Sequence, residues 1–253
     1  MIGVIGAGFV GSAVINAFSK CDVFVVDPKH NNNTIPQLLE LGPEGIFVCV
    51  PTPSLEDGSV NPAYVQEVLA QIPEGTLTVL KSTITPDHLP LGKKGLVYNP
   101  EFLTQRSANK DFLEPDSLIF GGSLVDCEKA RLLYERYSDV QPCPYVFCDI
   151  PTACLVKYTL NCHFAAKVTF MNEIYRLLEK MQCSSWDDFA RILGMDSRLG
   201  PTHLQVPGPD GEFGYGGACF PKDTKALLHY ADSIGINLSV LRQAVEANKA
   251  IRG

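Results

Sequence analysis

No apolar run in this chain reaches the roughly 18 residues that a membrane span requires, so no membrane partner is expected. Basic excess is absent too: 21 Lys and Arg stand against 28 Asp and Glu, a net charge of −7. That argues against a nucleic-acid partner, because neutralising phosphates takes clustered cations. It leaves room for an anionic small ligand, which needs only a local patch or a helix N-terminus. Nine cysteines include no Cys-x-x-Cys pair, and their number is odd and their spacing irregular. They read as thiols of a reducing compartment rather than a disulfide framework, so a cytoplasmic location is expected. Five scattered histidines complete no zinc pattern, and no metal is expected. The N-terminus lacks a basic leader, and Met1 to Gly11 already reads as a strand and a glycine turn, so no signal peptide is expected. Internal repeats and low-complexity tracts are missing as well.

What is present is a globular composition, 45% hydrophobic and 19% charged over 253 residues. This length suits one large domain or two smaller ones and can bury a full core without disulfides. Short apolar runs at 2–5, 22–26, 46–50, 77–80, 96–98, 118–120 and 145–147 read as strands. Helical spacing at 9–20, 62–71 and 126–137 falls between them, and Pro62 suits a first helical turn. The polar run 30–34 reads as a loop. Strands alternating with helices predict an α/β fold with a parallel, doubly wound sheet over residues 1–150. After Pro151 the texture changes: residues 152–181 hold no Gly or Pro and predict one helix of about 30 residues. Shorter helices are predicted at 186–193, 223–234 and from Ser239, so residues 151–253 form an all-helical domain with a long central helix.

Two segments carry chemistry. Gly6-x-Gly8-x-x-Gly11 lies between the first strand and first helix, where a pyrophosphate can rest on the helix N-terminus. Asp27 ends the second strand, 16 residues past Gly11. A carboxylate there bonds ribose hydroxyls and repels a 2′-phosphate, so the cofactor expected of this Rossmann domain is NAD rather than NADP. The alternative is a plain glycine turn followed by a turn-initiating Asp-Pro. The second segment runs from Phe213 to Asp223, Phe-Gly-Tyr-Gly-Gly-Ala-Cys-Phe-Pro-Lys-Asp. Its glycines let backbone amides approach a ligand, and Cys219 sits just before a predicted helix, beside Lys222, where a thiol can become a nucleophile. Residue types alone leave a buried structural cysteine equally open.

This loop resembles the active-site signature of the UDP-glucose/GDP-mannose dehydrogenases. Other segments agree in order: Val50-Pro51-Thr52-Pro53, Lys81-Ser82-Thr83-Ile84, Asn99-Pro100-Glu101-Phe102-Leu103, Lys157 to Asn161, and Asp196-Ser197-Arg198-Leu199-Gly200. The resemblance implies a four-electron oxidation of a nucleotide sugar, UDP-glucose first among them, to the uronic acid with two NAD. Cys219 would form a thiohemiacetal and then a thioester. It implies Asp223 as the carboxylate that handles protons and water. It implies Lys157 and Asn161, four apart on one helix face, as the pair opposite the developing oxyanion. Thr83 and Glu101 match positions that orient water for thioester hydrolysis. Gly6, Gly8, Phe9, Val10, Gly11, Asp27, Thr52 and Thr83 are the implied cofactor contacts. Phe213, Gly214, Tyr215, Gly216 and Arg198 are the implied substrate contacts, and a homodimer through the long helix is implied. Cys154 and Cys162 read as packing residues.

Several departures from the family accompany the likeness. Gln105 stands where the family often has a second Glu, Cys154 stands where Glu is common, and the segment between Asp27 and Ile46 is short. The family's third, nucleotide-binding domain is expected to be missing, since the sequence ends at Gly253 where a connecting helix should enter it. Two other readings stand beside this one. A two-electron dehydrogenase of the 3-hydroxyacid or 6-phosphogluconate type needs no nucleophilic cysteine. A NAD-binding remnant would have lost catalysis.

Overall fold

The apolar run Ile2–Ile5 forms β1, which lies between β2 and β3 in a seven-stranded sheet ordered β2-β1-β3-β4-β5-β6-β7. Its other strands are β2 (Val23–Val26), β3 (Ile46–Val48), β4 (Thr78–Leu80), β5 (Leu96–Tyr98), β6 (Leu118–Gly121) and β7 (Tyr145–Cys148). Helices α1 (Phe9–Ala17), α2 (Ile35–Glu40), α3 (Ala63–Gln71), α4 (Ala108–Leu113) and α5 (Leu124–Tyr137) connect them. The helices α6 (Ile150–Met181), α7 (Trp186–Leu193), α8 (Phe220–Ser233) and α9 (Ser239–Arg252) follow. This computed structural model describes residues 1–104 and 106–253, so Gln105 lies outside the described residues.

The chain forms two compact units. The first comprises residues 1–53 and 60–157, the second residues 54–59 and 158–253. In the first, alternation along each strand sorts side chains to two faces. Val4, Phe47, Val79, Val97 and Phe120 pack on one face against Val14 and Phe18 of α1, Phe112 of α4, and Leu133 and Tyr134 of α5. Tyr134 is the hub of this layer, its ring 5.1–6.2 Å from those of Phe18, Phe47, Phe112 and Phe120. Gly3 faces the other way, and Leu38 of α2 presses so closely that a Cβ there would lie 2.5 Å from its side chain. Helices therefore cover both faces, as the continuous apolar strands require.

Several details depart from the sequence reading. β5 and β6 are antiparallel, meeting with Tyr98 opposite Gly121, while the other strand pairs are parallel. A short buried strand looks the same in either direction, so composition does not reveal this. α2 and α4 are additional helices. α6 starts at Ile150, two residues before the first predicted residue. Pro151 is accommodated in its first turn, and the Asp149 carboxylate accepts the Thr152 amide at 2.7 Å. α8 likewise starts at Phe220 rather than Asp223, because Pro221 falls in its first turn.

In the second unit, Met171 and Leu178 of α6 and Trp186 of α7 bury their apolar faces with Leu204 and Val206. The Trp186 indole N–H donates to the Leu204 carbonyl at 2.9 Å, satisfying the polar end of a buried ring. Ser185 caps α7 by accepting the Asp188 amide. Among the described residues no helix is long and apolar enough to cross a membrane.

Candidate active site

The turn from β1 to α1 is closed by backbone contact. Gly6 has φ +90°, and a Cβ there would lie 2.7 Å from the Cys49 carbonyl oxygen. A Cβ on Gly11 would come within 1.9 Å of the Gly6 carbonyl oxygen. Gly8 has open space beside it, and Gly8 and Phe9 are exposed. Val10 is half-buried. The start of α1 has no side-chain cap and no acidic residue in its first turn. Such an end, with its unpaired amides and positive dipole end, fits an anion.

Asp27 is buried at the end of β2. Its Oδ2 accepts the Ala7 amide at 2.6 Å and its Oδ1 the Lys29 amide at 2.8 Å, so one carboxylate ties the glycine turn to β2. Burial alone would raise the Asp27 carboxyl, but these two amides, with the charges of His30 and Lys29, outweigh it and hold the group below the usual carboxylate range. An ionised carboxylate with lone pairs to spare fits ribose hydroxyls and repels a phosphate. The residues present therefore fit NAD. The turns after β3 and β4 are joined by the Thr52 hydroxyl, which donates to the Thr83 carbonyl at 2.7 Å, and by Ser82, which donates to the Val50 carbonyl at 2.7 Å.

After β5, Glu101 meets Lys157 of α6. The ammonium donates to Oε1 at 2.9 Å and to the Glu101 carbonyl, and lies 5.3 Å from the centre of the Phe102 ring. Both side chains are buried, 3% and 8% exposed. Burial pushes the Glu101 carboxyl up, but Lys157 and the Leu103 amide, which donates at 2.8 Å, more than offset it, so Glu101 is held low and ionised. A second buried cation, whose burial the sequence does not reveal, lies nearby. Lys81 donates to Asn99 Oδ1 at 2.8 Å, to the Asn99 carbonyl at 3.2 Å and to the Tyr134 hydroxyl at 3.3 Å. Burial lowers the Lys81 ammonium to about 8. The only hint of this network in the sequence is its place beside Ser82-Thr83 and Pro100-Glu101.

In the second unit, Cys219 is exposed and is the N-cap of α8. Asp223, in the first turn, is 1% exposed. Its Oδ2 accepts the Asn161 amide nitrogen at 2.5 Å and its Oδ1 the Lys222 ammonium at 2.5 Å, while its backbone N–H donates to the Cys219 carbonyl at 2.8 Å. Asn161, Lys222, Asp223 and Cys219 thus meet at one helix start. The preceding loop places Phe213 at the surface and buries Gly214 and Tyr215, with Gly216 between the two. Arg198 extends into solvent, 88% exposed, and forms a two-pronged ion pair with Asp196. Burial pushes the Cys49, Cys154 and Cys162 thiols up to about 12 and leaves them inert at neutral pH. Buried Asn172 and Asn248 bond the loop backbone, a role that their polar type did not disclose in the sequence.

A mostly parallel sheet with an anion-ready glycine turn and a ribose-matched carboxylate defines a dinucleotide-binding protein of the Rossmann class. Residues 42–139 match the NAD binding domain of the UDP-glucose/GDP-mannose dehydrogenase family, and residues 151–250 match its central domain. UDP-glucose 6-dehydrogenase of Rickettsia felis is 34% identical over 221 residues, covering 81% of this chain and 48% of that protein. The enzyme of the same name from Rhizobium meliloti is 35% identical over 221 residues, covering 80% and 49%. A UDP-glucose dehydrogenase structure from Pyrobaculum islandicum superposes with a TM-score of 0.79 at 24% identity, covering 98% of this chain and 68% of that one. A 3-hydroxyisobutyrate dehydrogenase from Mycobacterium tuberculosis shares the fold at a TM-score of 0.69 and 17% identity, covering 97% and 91%. The chain belongs to the UDP-glucose/GDP-mannose dehydrogenase family and spans about half the length of the curated relatives it matches. The cofactor expected from the glycine turn, NAD, is the one for which the matched domain is named.

Proposed function

We propose that this chain carries the chemistry of a NAD-dependent nucleotide-sugar dehydrogenase, oxidising the primary alcohol of a UDP-sugar to a carboxylate through Cys219. The carrying observation is the exposed Cys219 at the start of α8, beside buried Asp223 held by Asn161 and Lys222. Two NAD, bound in turn, would each accept one hydride, one for each of the two oxidations. The alcohol loses hydride and proton to give the aldehyde. The Cys219 sulfur then bonds to the aldehyde carbon as the C=O π bond opens, and the thiol proton passes to that oxygen, giving a thiohemiacetal. Loss of a second hydride and of the hydroxyl proton leaves a thioester, and water cleaves its C–S bond to release the acid and restore the thiol. Asp223 holds Lys222 and Asn161 in register with Cys219 and relays the proton. Lys157 and Asn161, one turn apart on α6, oppose negative charge on the reacting oxygen. Lys157 also keeps Glu101 ionised. A carboxylate held low is a weak base, so Glu101 orients the hydrolytic water, with Thr83, rather than deprotonating it. Arg198 and the loop from Phe213 to Gly216 contact substrate, and Gly6, Gly8, Phe9, Val10, Gly11, Asp27 and Thr52 hold the cofactor.

The test is product stoichiometry with Cys219→Ser. Wild type should release two NADH per UDP-glucose, whereas the variant should stop before the acid. One NADH per substrate in wild type favours the two-electron reading, and acid formation by the variant at the wild-type rate rules out the covalent scheme. Dimerisation through α6 belongs to the same proposal. It is supported by Phe170, Leu177 and Met181, apolar yet 54–62% exposed along that helix. Sedimentation that shows a monomer at micromolar concentration would reject it.

A further inference from the structure

The backbone around Gly214 and Tyr215 is gripped by side chains outside the reactive segment. Asn248 of α9 is buried and makes a two-way clamp on Tyr215: its Oδ1 accepts the Tyr215 amide at 2.7 Å and its Nδ2 donates to the Tyr215 carbonyl at 3.0 Å. Asn172 of α6 is 1% exposed, and its Oδ1 accepts the Gly214 amide at 2.9 Å while its Nδ2 donates to the Val168 carbonyl at 2.8 Å. Arg252 closes the outer side. Its Nη1 donates to the carbonyls of Phe213 and Gly214 at 3.3 and 3.4 Å, and its Nη2 to Asp210 at 2.9 Å. The grip leaves no spare room: a Cβ on Gly214 would lie 2.4 Å from Asn248 Oδ1, and one on Gly216 would lie 2.7 Å from Arg252 Nη2. Gly214 also sits at φ +73°, where an L side chain is strained.

The clamp has a short mechanical route to the thiol. The Tyr215 ring is buried and meets Phe220 edge-on, with centroids 6.2 Å apart. Phe220 is the first residue of α8 and the direct neighbour of Cys219. Buried asparagine amides are costly to leave unpaired, so each holds its backbone partner in one geometry.

We infer that Asn248, Asn172 and Arg252 are positioning residues for Cys219, acting through the Gly214–Tyr215 backbone and the Tyr215–Phe220 ring contact. This inference rests on the Cys219 chemistry proposed above, and its test separates the two. In the full chain, the alkylation rate of Cys219 by iodoacetamide is followed across pH by peptide mass spectrometry, with exposed Cys183 as internal reference. NAD affinity and turnover of UDP-glucose are measured alongside. Asn248→Ala should change the Cys219-to-Cys183 alkylation ratio by at least about threefold and displace its pH profile. Turnover should fall by more than about tenfold, while NAD affinity stays within about twofold. Arg252→Ala, at a part-exposed position, should move the same readouts less, and Arg252→Lys should restore part of the effect. If Asn248→Ala does not fold, Arg252→Ala decides alone. An unchanged alkylation ratio and pH profile in the folded variants overturns the inference, whatever Cys219→Ser does. Acid formation by Cys219→Ser overturns the covalent scheme while leaving the alkylation result to report on the clamp.

Discussion

Breaking the buried Glu101–Lys157 pair gives a quantitative check on how the first unit treats charge. Lys157 Nζ donates to the Glu101 carbonyl and to Glu101 Oε1 and lies over the Phe102 ring. All three belong to one dipeptide, and both charged side chains are almost wholly buried. Glu101→Gln therefore leaves an uncompensated ammonium, which should cost about 3–5 kcal/mol. Lys157→Met strands a carboxylate whose Oε2 keeps the Leu103 amide, and the loss should be similar. The double variant should cost much less than the sum, since neither charge is left alone, with a coupling of about 2–3 kcal/mol. The assay is hydrogen exchange of peptides spanning β4 and β5 under native conditions. Trp186, the single tryptophan, lies in the second unit and serves as an unperturbed fluorescence control. The sign with pH also follows. Because the Glu101 pKa is depressed on folding, its contribution is complete above the ordinary carboxylate range and is lost as pH falls through the lower folded value. The gap between wild type and Glu101→Gln should thus persist at pH 5 and close only in stronger acid. Single variants that each cost under about 1 kcal/mol and add independently would refute the reasoning.

Three further outcomes are expected. Gly11→Ala forces a Cβ to within 1.9 Å of the Gly6 carbonyl oxygen, so it should weaken NAD binding by more than about tenfold in calorimetric titration. Asp27→Asn loses an ionic acceptor for the Ala7 amide and the repulsion of a 2′-phosphate; NAD should bind more weakly and NADP more tightly, read as a changed ratio of dissociation constants. Lys81, lowered from 10.5 to about 8 by burial, binds fewer protons folded than unfolded between those values. Wild-type stability relative to Lys81→Met should therefore rise by about 3 kcal/mol over that window in paired denaturant titrations.

The strands and the long helix were legible because apolar runs and helical spacing are local signals. So was the glycine turn, whose residues are adjacent in sequence. α2 has a local signal in the chain, for Thr34 and Gln37 form a reciprocal capping box, with Pro36 in the first turn. α4 offers only six residues and a single buried side chain, Phe112, too little for periodicity to show. The direction of β6 relative to β5 is a tertiary property. The Lys81–Asn99–Tyr134 network and the asparagine clamp could not be read either, because Lys and Asn ordinarily mark surface and their partners lie 18 to 53 residues away. At the reactive loop, helix propensity placed the start of α8 three residues late, and that shift is what moves Cys219 from an approaching loop to the cap itself.

The bond between Asp27 and the Ala7 amide has a thermodynamic corollary. It shapes the phosphate cradle before any guest arrives, so little conformational freedom remains to be lost on docking. Association should then follow a single exponential whose rate climbs linearly with dinucleotide concentration, without a plateau from slow loop rearrangement.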